Sequence, residues 1–228
     1  MQTTKKTNFA AHQIYMQAVQ CFNENSTTSG DFRKALKLMK KAAMLGEIAA
    51  HNWLGAAYDY GLGTRPNRRK AYEHYNISAM NGNSYGEYHV GVFYLEGRYV
   101  KKNAVLAVRW FRKAAKQGDV DALHELGKCY RYGQGVKQNV VKGFKMELQA
   151  AQRGCVEAQF SVGVCFSRGE GTKEDLPEAF RWFFIAARKG HEDAAFNVAF
   201  FCENGRGVKK NLRRAKFWYS RNQMLLNK

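Results

Sequence analysis

Small, aromatic and polar residues recur along this chain with one fixed spacing of 36 residues. The most regular series pairs an alanine with a glycine three positions later, and five copies follow one another without an insertion. The alanines are Ala43, Ala79, Ala115, Ala151 and Ala187, and the glycines are Gly46, Gly82, Gly118, Gly154 and Gly190. A fixed period of this length indicates one structural unit copied along the chain, in which each copy packs on its neighbours.

Two further series share this period and indicate where helices begin and end. An aromatic residue or a cysteine stands three positions before a glycine at Tyr58, Tyr94, Tyr130, Phe166 and Cys202, and Asp or Asn recurs at Asp31, Asn67, Asn103, Asn139, Asp175 and Asn211. Glycine adopts the left-handed conformation that ends many helices, and Asp and Asn side chains accept the free N–H groups of a first turn. Each unit is therefore predicted to contain a helix A that ends near the Tyr-x-x-Gly, a short Gly-x-Gly turn, and a helix B that begins at the Asp or Asn and ends at the Ala-x-x-Gly.

These patterns predict the fold class and the number of units. Counting back one period places Ala18 and Phe22 on a first helix A, which gives six units. The predicted fold is all-α: an α/α solenoid (superhelix) of about six antiparallel helix hairpins with a 36-residue period. We expect a disordered N-terminal tail at residues 1–7 and one solenoid domain at residues 8–228. A monomer is expected, with an end-to-end contact through residues 224–226 left open.

The repeating unit resembles the Sel1-like repeat, a relative of the tetratricopeptide repeat. It reads Leu-Gly-x-x-Tyr-x-x-Gly-x-Gly-Val, then Asn, then Lys-Ala-x-x-Trp-x-x-Lys-Ala-Ala-x-x-Gly, and is plainest from Leu126 to Gly154 and from Arg109 to Gly118. The tetratricopeptide period is about 34 residues, so the fixed 36 favours the Sel1-like repeat. The resemblance covers roughly residues 10–222. Tyr99 replaces the second turn glycine of one unit, Gly143 replaces a helix-B alanine, and Leu38, His74 and Met146 stand where other units have tryptophan.

The composition argues against export, membrane insertion and bound cofactors. The polar N-terminus is followed by no apolar run, so neither a secretory signal nor a membrane helix is predicted. A cytoplasmic protein is expected, with export by a non-classical secretion system left open. The six histidines and five cysteines form no His-x-x-x-His or Cys-x-x-Cys pair, and we expect no metal or other cofactor. Cys129 and Cys165 occupy the same helix-A position in successive units, too far apart for a disulfide, and free thiols are expected.

The formal net charge of +18 is divided unevenly between the two kinds of helix. The predicted A helices, residues 8–25, 47–61, 83–97, 119–133, 155–169 and 191–205, hold three basic and twelve acidic residues, a net charge of −9. The rest of the chain holds 34 basic and seven acidic residues, a net charge of +27. Related helical repeats imply that A helices line a concave surface and B helices a convex one. We therefore expect an acidic concave surface and a basic convex one, although helix dipoles alone explain part of this pattern.

The concave surface is the candidate binding groove. The resemblance places there Tyr60, Tyr85, Tyr88, Asp121, Tyr132, Glu157, Phe160, Phe196 and Phe200. His124 and Lys128, which can share a helix face with Asp121, are assigned to the same partner-binding groove. Aromatic rings beside carboxylates suit a segment that carries Lys or Arg, through cation–π contacts and charge-assisted hydrogen bonds. We expect Asp121 and Glu157 to select such a basic segment. The alternative is that the rings pack between repeats as core.

The resemblance implies a non-catalytic adaptor or inhibitor that binds another protein or peptide in the concave groove. A regulated enzyme, a toxin, a secretion component or a host factor would each fit as its partner. Asp121, His124 and Lys128 share one helix face, but no nucleophile–base pair stands at a defined spacing, so no catalytic residue and no enzyme activity are predicted.

The alternative function is binding of nucleic acid or another polyanion by the basic convex face. Its residues would be Arg33, Lys34, Arg68, Arg69, Arg112, Arg213 and Arg214. Aromatic residues that could stack on bases do not visibly accompany these basic residues, which argues against single-strand binding.

Overall fold

The computed structural model describes residues 2–23 and 29–226, which contain twelve helices and no strand. The A helices are α1 (Gln2–Asn23), α3 (Ile48–Tyr60), α5 (Ser84–Glu96), α7 (Val120–Tyr132), α9 (Val156–Arg168) and α11 (Glu192–Asn204). The B helices are α2 (Ser29–Met44), α4 (Arg68–Met80), α6 (Ala104–Lys116), α8 (Val140–Gln152), α10 (Leu176–Arg188) and α12 (Leu212–Leu226). Each helix A packs on the helix B that follows it. The predicted fold class, an all-α solenoid of helix hairpins, is confirmed.

The chain divides into two compact units at a boundary between repeats. Unit 1 is Met1–Gln117 and contains α1–α6, and unit 2 is Gly118–Lys228 and contains α7–α12. The sequence predicts one domain at residues 8–228 after a disordered tail at residues 1–7, and both stay predictions. In the structure helix α1 begins at Gln2. A repeat array has no single centre of packing, so it divides between hairpins. The side chains of Phe22 and of residues 224–226 lie outside the described residues.

Polar side chains start the B helices where the period predicts. One side-chain oxygen accepts the backbone N–H three residues later, at 2.9–3.0 Å, at Asn67, Asn103, Asn139, Asp175 and Asn211. The predicted start at Asp31 is wrong, because α2 begins at Ser29 and Asp31 lies in its first turn. An acid in a first turn still interacts favourably with the helix dipole. Helices α3, α5, α7, α9 and α11 end, as predicted, at glycines whose φ lies between 69° and 80°.

In three hairpins a glycine in the middle of helix A makes room for a ring of helix B. The rings are Tyr75, Phe111 and Phe183, which are at most 2 % exposed. The facing glycines are Gly55, Gly91 and Gly163, and a Cβ on each would lie 2.6 Å from the nearest ring atom. A methyl group does not fit at that distance, so glycine lets the two helices close around the ring. This glycine is the second residue of the Leu-Gly-x-x-Tyr motif.

The hairpin of α7 and α8 contains a buried ion pair in place of that ring. Glu147 occupies the ring position and is fully buried beside Gly127. The Nε of Arg131 lies 3.1 Å from Oε2 of Glu147, and Nη2 donates to Oε1 at 3.2 Å. A Cβ on Gly143 would lie 2.7 Å from the backbone nitrogen of Arg131, so glycine in place of alanine allows α8 to approach α7 at this pair. Burial raises the pKa of Glu147 to about 7, and Arg131 opposes that rise.

Tyr99 has a backbone conformation that normally selects glycine, with φ of 66°. It is 53 % exposed, and its ring centroid lies 5.7 Å from that of Tyr72. In another hairpin a Cβ on the equivalent Gly171 would lie 2.6 Å from the carbonyl oxygen of Val140. The ring of Tyr99 is thus accommodated in a left-handed turn that other hairpins reserve for glycine.

All five cysteines are free, and four of them are buried. Burial raises the pKa of Cys129 to about 11 and the pKa values of Cys155 and Cys165 to about 12. Thiolates are the reactive form of cysteine, so these side chains have core positions and low reactivity. In the parts of the chain that the structure describes, no helix combines the length and apolar character of a membrane span.

Candidate protein-binding site on the A helices

In unit 2 the A helices α9 and α11 enclose a pocket of about 300 Å³. Two buried rings, Phe183 and Phe201, line it together with the half-buried Phe160, Val164 and Phe200. This volume lies at the lower end of the range for ligand pockets. The pocket therefore suits one or two side chains of a larger partner.

Two arginines and two small polar side chains complete the lining of this pocket: Ser167, Arg168, Asn197 and Arg206. Arg168 is the last residue of α9, where the helix dipole favours a cation, and its side chain is 68 % exposed. Arg206 follows the turn glycine after α11, and its guanidinium lies 5.4 Å from the ring centroid of Phe201. The pocket thus combines apolar rings with exposed guanidinium groups.

Ring contacts on two sides hold Phe160 in place. Its ring stacks on His191 with centroids 4.4 Å apart, and it lies 5.8 Å from the ring of Phe183. His191 is itself 3.3 Å from a carboxylate oxygen of Glu157. Because the ring is already ordered, a partner that covers its exposed part does not have to immobilise it.

Unit 1 has a separate pocket on its own A helices, with a volume of about 360 Å³. It is lined by Tyr15, Ala49, Asn52, Trp53, Ala56 and Tyr85. Asn52 donates a hydrogen bond to Oδ1 of Asn83 at 3.0 Å. Within the described residues, no charged side chain lines this pocket.

Most of the predicted groove residues are exposed or half-buried on the A helices of their own unit. Tyr60, Tyr85, Tyr132 and Phe196 are between 41 % and 66 % exposed, and Asp121 and Glu157 are exposed. Tyr88, Lys128, Phe160 and Phe200 are half-buried. Tyr88 lies 6.1 Å from the ring of Phe111, and Lys128 donates to Glu125 at 2.8 Å. Some of the predicted groove rings are therefore open to a partner, as the groove interpretation expects, and others are partly packed, as the core interpretation expects.

His124 is a core residue and not a groove residue, contrary to the prediction. It is 5 % exposed, and its Nδ1 lies 3.7 Å from Oε1 of Glu147. Burial lowers its pKa to about 3, and the charges of Lys128 and Arg131 act in the same direction. In the preceding repeat the equivalent Tyr88 lies near Phe111 of helix B, and the smaller side chain of His124 at this position is enclosed.

Several acidic residues of the A helices are engaged within the fold. Asp59 is almost fully buried and pairs with Arg98. Glu87 is buried and accepts a hydrogen bond from the amide of Gln117 at 2.7 Å. Asp119 accepts the N–H that it caps at 2.8 Å. The charge of −9 counted on these helices is therefore not a uniformly acidic surface.

The basic residues assigned to the convex face are mostly exposed. Arg33, Lys34, Arg68, Arg69, Arg112 and Arg213 are exposed, and Arg214 is half-buried. Aromatic rings do accompany some basic residues of the B helices, contrary to the expectation. Arg214 lies 5.0 Å from the ring centroid of Phe184, and Lys113 lies 4.3 Å from that of Trp110. Because these cations cover the faces of the rings, the rings are not open platforms for stacked bases.

Sequence reasoning missed most of the polar lining of the unit 2 pocket. Arg168 stood out only as one of three basic residues on the A helices, and Arg206 belongs to a turn that we interpreted as a connector. Arg168 is the last residue of α9, and Arg206 lies two residues after the end of α11, so both are close to the C-terminal ends of neighbouring A helices, and that placement is the signal that identifies them. The described residues contain no group of three or more His, Cys, Asp or Glu side chains that could hold a metal ion.

Comparison with known proteins places the chain in a family. Six consecutive segments match the Sel1 repeat model: residues 21–47, 48–83, 84–119, 120–155, 156–191 and 192–221. No curated protein matches the sequence. Solved structures with the same fold include c5321, a protective antigen present in uropathogenic Escherichia coli strains. Its sequence is 27% identical, its TM-score is 0.78, and the match covers 98% of this chain and 48% of c5321. This chain thus spans about half the length of c5321.

Two other solved structures match over most of both chains. A Sel1 repeat protein from Oxalobacter formigenes is 26% identical with a TM-score of 0.77, over 92% of this chain and 82% of that one. The immunity protein PA5088 from Pseudomonas aeruginosa is 22% identical with a TM-score of 0.65, and the match covers 95% of this chain and 82% of that one. At this identity the similarity shows a shared fold and nothing more. Because this model matches residues 21–221 in six consecutive segments, this chain belongs to the Sel1 repeat family.

Proposed function

We propose that this chain is a non-catalytic adaptor or inhibitor that binds a partner protein on the A helices of unit 2. Sel1 repeat proteins generally mediate protein–protein interactions, and the repeat is a non-enzymatic scaffold fold. The observation that carries the proposal is the pocket of about 300 Å³ between α9 and α11, which presents ordered rings to solvent.

Three rings supply the contact area for such a partner. Phe160 and Phe200 line the pocket, and Phe196 on the same face of α11 is 50 % exposed. Large, ordered aromatic side chains are typical anchors of protein interfaces, where truncation of one commonly costs about 2 kcal/mol or more of binding free energy. The partner is expected to cover these rings together.

The test is site-specific photo-crosslinking in the source cells. A photoreactive amino acid replaces Asn197 in the pocket or, as the control, the exposed Lys145 on helix α8. We expect a discrete protein adduct from position 197 and none from position 145. The adduct is identified by mass spectrometry, and that protein is then purified.

Binding of the purified protein is then measured with matched variants. Phe160→Ala with Phe200→Ala is expected to weaken its affinity at least tenfold, and Phe217→Ala, which removes a 55 % exposed ring from helix α12, is expected to leave it unchanged. Circular dichroism checks that each variant is folded. An adduct only at position 145, or a partner lost on Phe217→Ala alone, would move the site to the B helices and overturn the proposal.

A further inference from the structure

The unit 2 pocket carries cations whose positive charge is incompletely neutralised. Nη1 of Arg168 is 3.5 Å from Oε1 of Glu170, a distance at the outer limit of a hydrogen bond. The other oxygen of Glu170 is 3.2 Å from Nη1 of the buried Arg131. Glu170 is therefore shared between two arginines, and Arg168 keeps donors available to solvent.

Arg206 has a similar surplus of donors. Its guanidinium lies over the rings of Phe200 and Phe201, 5.9 and 5.4 Å from their centroids. Stacking on a ring uses the face of a guanidinium and leaves its N–H groups, which lie in its plane, free to point outward. Two arginines at one pocket can thus each offer paired N–H donors, the arrangement that recognises carboxylates.

The geometry points to an acidic segment of the partner protein as the occupant of this pocket. An aromatic or aliphatic side chain of that segment would enter between Phe160 and Phe200, and flanking Asp or Glu carboxylates would bind Arg168 and Arg206. This inference rests on the proposed function and states the chemistry of the partner. It differs from the basic segment expected from the sequence, because no acidic side chain lines the pocket among the described residues.

The pocket of unit 1 provides an internal comparison. Its lining of Tyr15, Trp53 and Tyr85 is equally aromatic, but no charged side chain of the described residues lines it. Selection for acidic residues is therefore assigned to the unit 2 pocket and not to this unit 1 pocket. The net charge of +18 attracts any acidic peptide weakly, so the experiment needs a variant with the same loss of charge elsewhere.

The probe is a random twelve-residue peptide library displayed on phage and selected on the full chain at 150 mM salt. The pocket variant is Arg168→Gln with Arg206→Gln, and the charge-matched control is Arg213→Gln with Lys216→Gln on helix α12. Both control positions are exposed and lie in unit 2. The most enriched peptide is synthesised, together with a form in which Asn and Gln replace its Asp and Glu residues.

We expect enriched peptides that combine Asp or Glu with an aromatic or aliphatic residue. The pocket variant should bind the synthetic peptide at least tenfold more weakly than the unaltered chain and the control variant, and the amide peptide should show the same loss. Enrichment of neutral or basic peptides, or equal affinity for the acidic and amide forms, overturns the acidic occupant but leaves the protein-binding pocket standing. If the unaltered chain selects no peptide that Phe160→Ala weakens, both proposals fail.

Discussion

The buried ion pair Arg131–Glu147 occupies positions that are apolar in the preceding hairpin, and its contribution to stability can be tested quantitatively. In the preceding hairpin the equivalent positions are Leu95 and Phe111, and the ring lies over Gly91. The perturbation is Arg131→Leu, alone and combined with Glu147→Phe. The single change leaves a carboxylate enclosed without its guanidinium partner, whereas the double change copies the apolar pair of the preceding repeat.

The structure sets the expected magnitudes. Both side chains are at most 5 % exposed, so the single change removes a fully desolvated partner, which costs about 3–5 kcal/mol of the free energy of unfolding. For a chain of this length each kcal/mol shifts the melting temperature by about 2–4 °C, so a fall of about 6–20 °C is expected. The double change is expected to recover most of that loss or to exceed the original stability, because apolar residues can replace a buried ion pair at no net cost.

Urea unfolding followed by circular dichroism measures both variants. The control is Arg181→Leu, which breaks the exposed pair of Arg181 with Glu178 in the same unit and is expected to cost at most about 1 kcal/mol. If Arg131→Leu costs no more than this control, the pair is not the desolvated contact that we describe. A double variant less stable than Arg131→Leu would show that the ring does not fit the space beside Gly127.

Three further predictions follow from burial and backbone geometry. Acidification from pH 7 to pH 5 should lower the free energy of unfolding, because burial holds the pKa of His74 and His89 at about 4 and of His124 at about 3, while the unfolded imidazoles take up protons near pH 6.5. Stability from these histidines is complete above pH 6.5 and lost on acidification. Glu147, whose pKa is raised, has the opposite effect between about pH 4.5 and 7, so the free energy of unfolding is expected to change by less than about 3 kcal/mol per pH unit. Urea titrations across this range check the sign, and a free energy of unfolding that rises toward pH 5 would contradict the prediction. Tyr99→Gly should be about 1 kcal/mol more stable than Tyr99→Ala because only glycine adopts a φ of 66° without strain, and equal melting temperatures would argue against that strain. Four thiols should react with a thiol reagent only after urea unfolding, so fast labelling of more than one thiol in the folded chain would contradict their burial.

The repeat period made most of the backbone predictable, since helix caps depend on local residues. Asn103 and Gly97 each act through contacts within a few positions of themselves, and both behave as the sequence indicates. Asp31 does not, because the segment before it lacks the Gly-x-Gly turn that fixes the start of the other B helices. Local sequence therefore specifies a cap only where the preceding turn is also specified.

The buried pair and the pocket were not predictable in the same way. Arg131 and Glu147 lie on different helices, and their contact depends on how closely α7 and α8 approach at Gly143, a residue that appears in the sequence only as a departure from the repeat. The period does show that position 124 faces position 147, by analogy with Tyr88 and Phe111. We assigned His124 by the helix face that it can share with Asp121 and Lys128 and not by this register, which is why its placement was wrong.

The matching of a helix-A glycine to a helix-B ring has a consequence for how such a chain can change in length. Gly163 and Phe183 belong to the same hairpin, as do Gly91 and Phe111, so each of these 36-residue blocks carries both halves of its own central contact. When one whole block is duplicated or deleted, every helix-B ring of this kind still has a facing helix-A glycine, and every such glycine still faces a ring. Gain or loss of a partial block separates the two halves, so evolution by recombination is expected to favour whole multiples of the period.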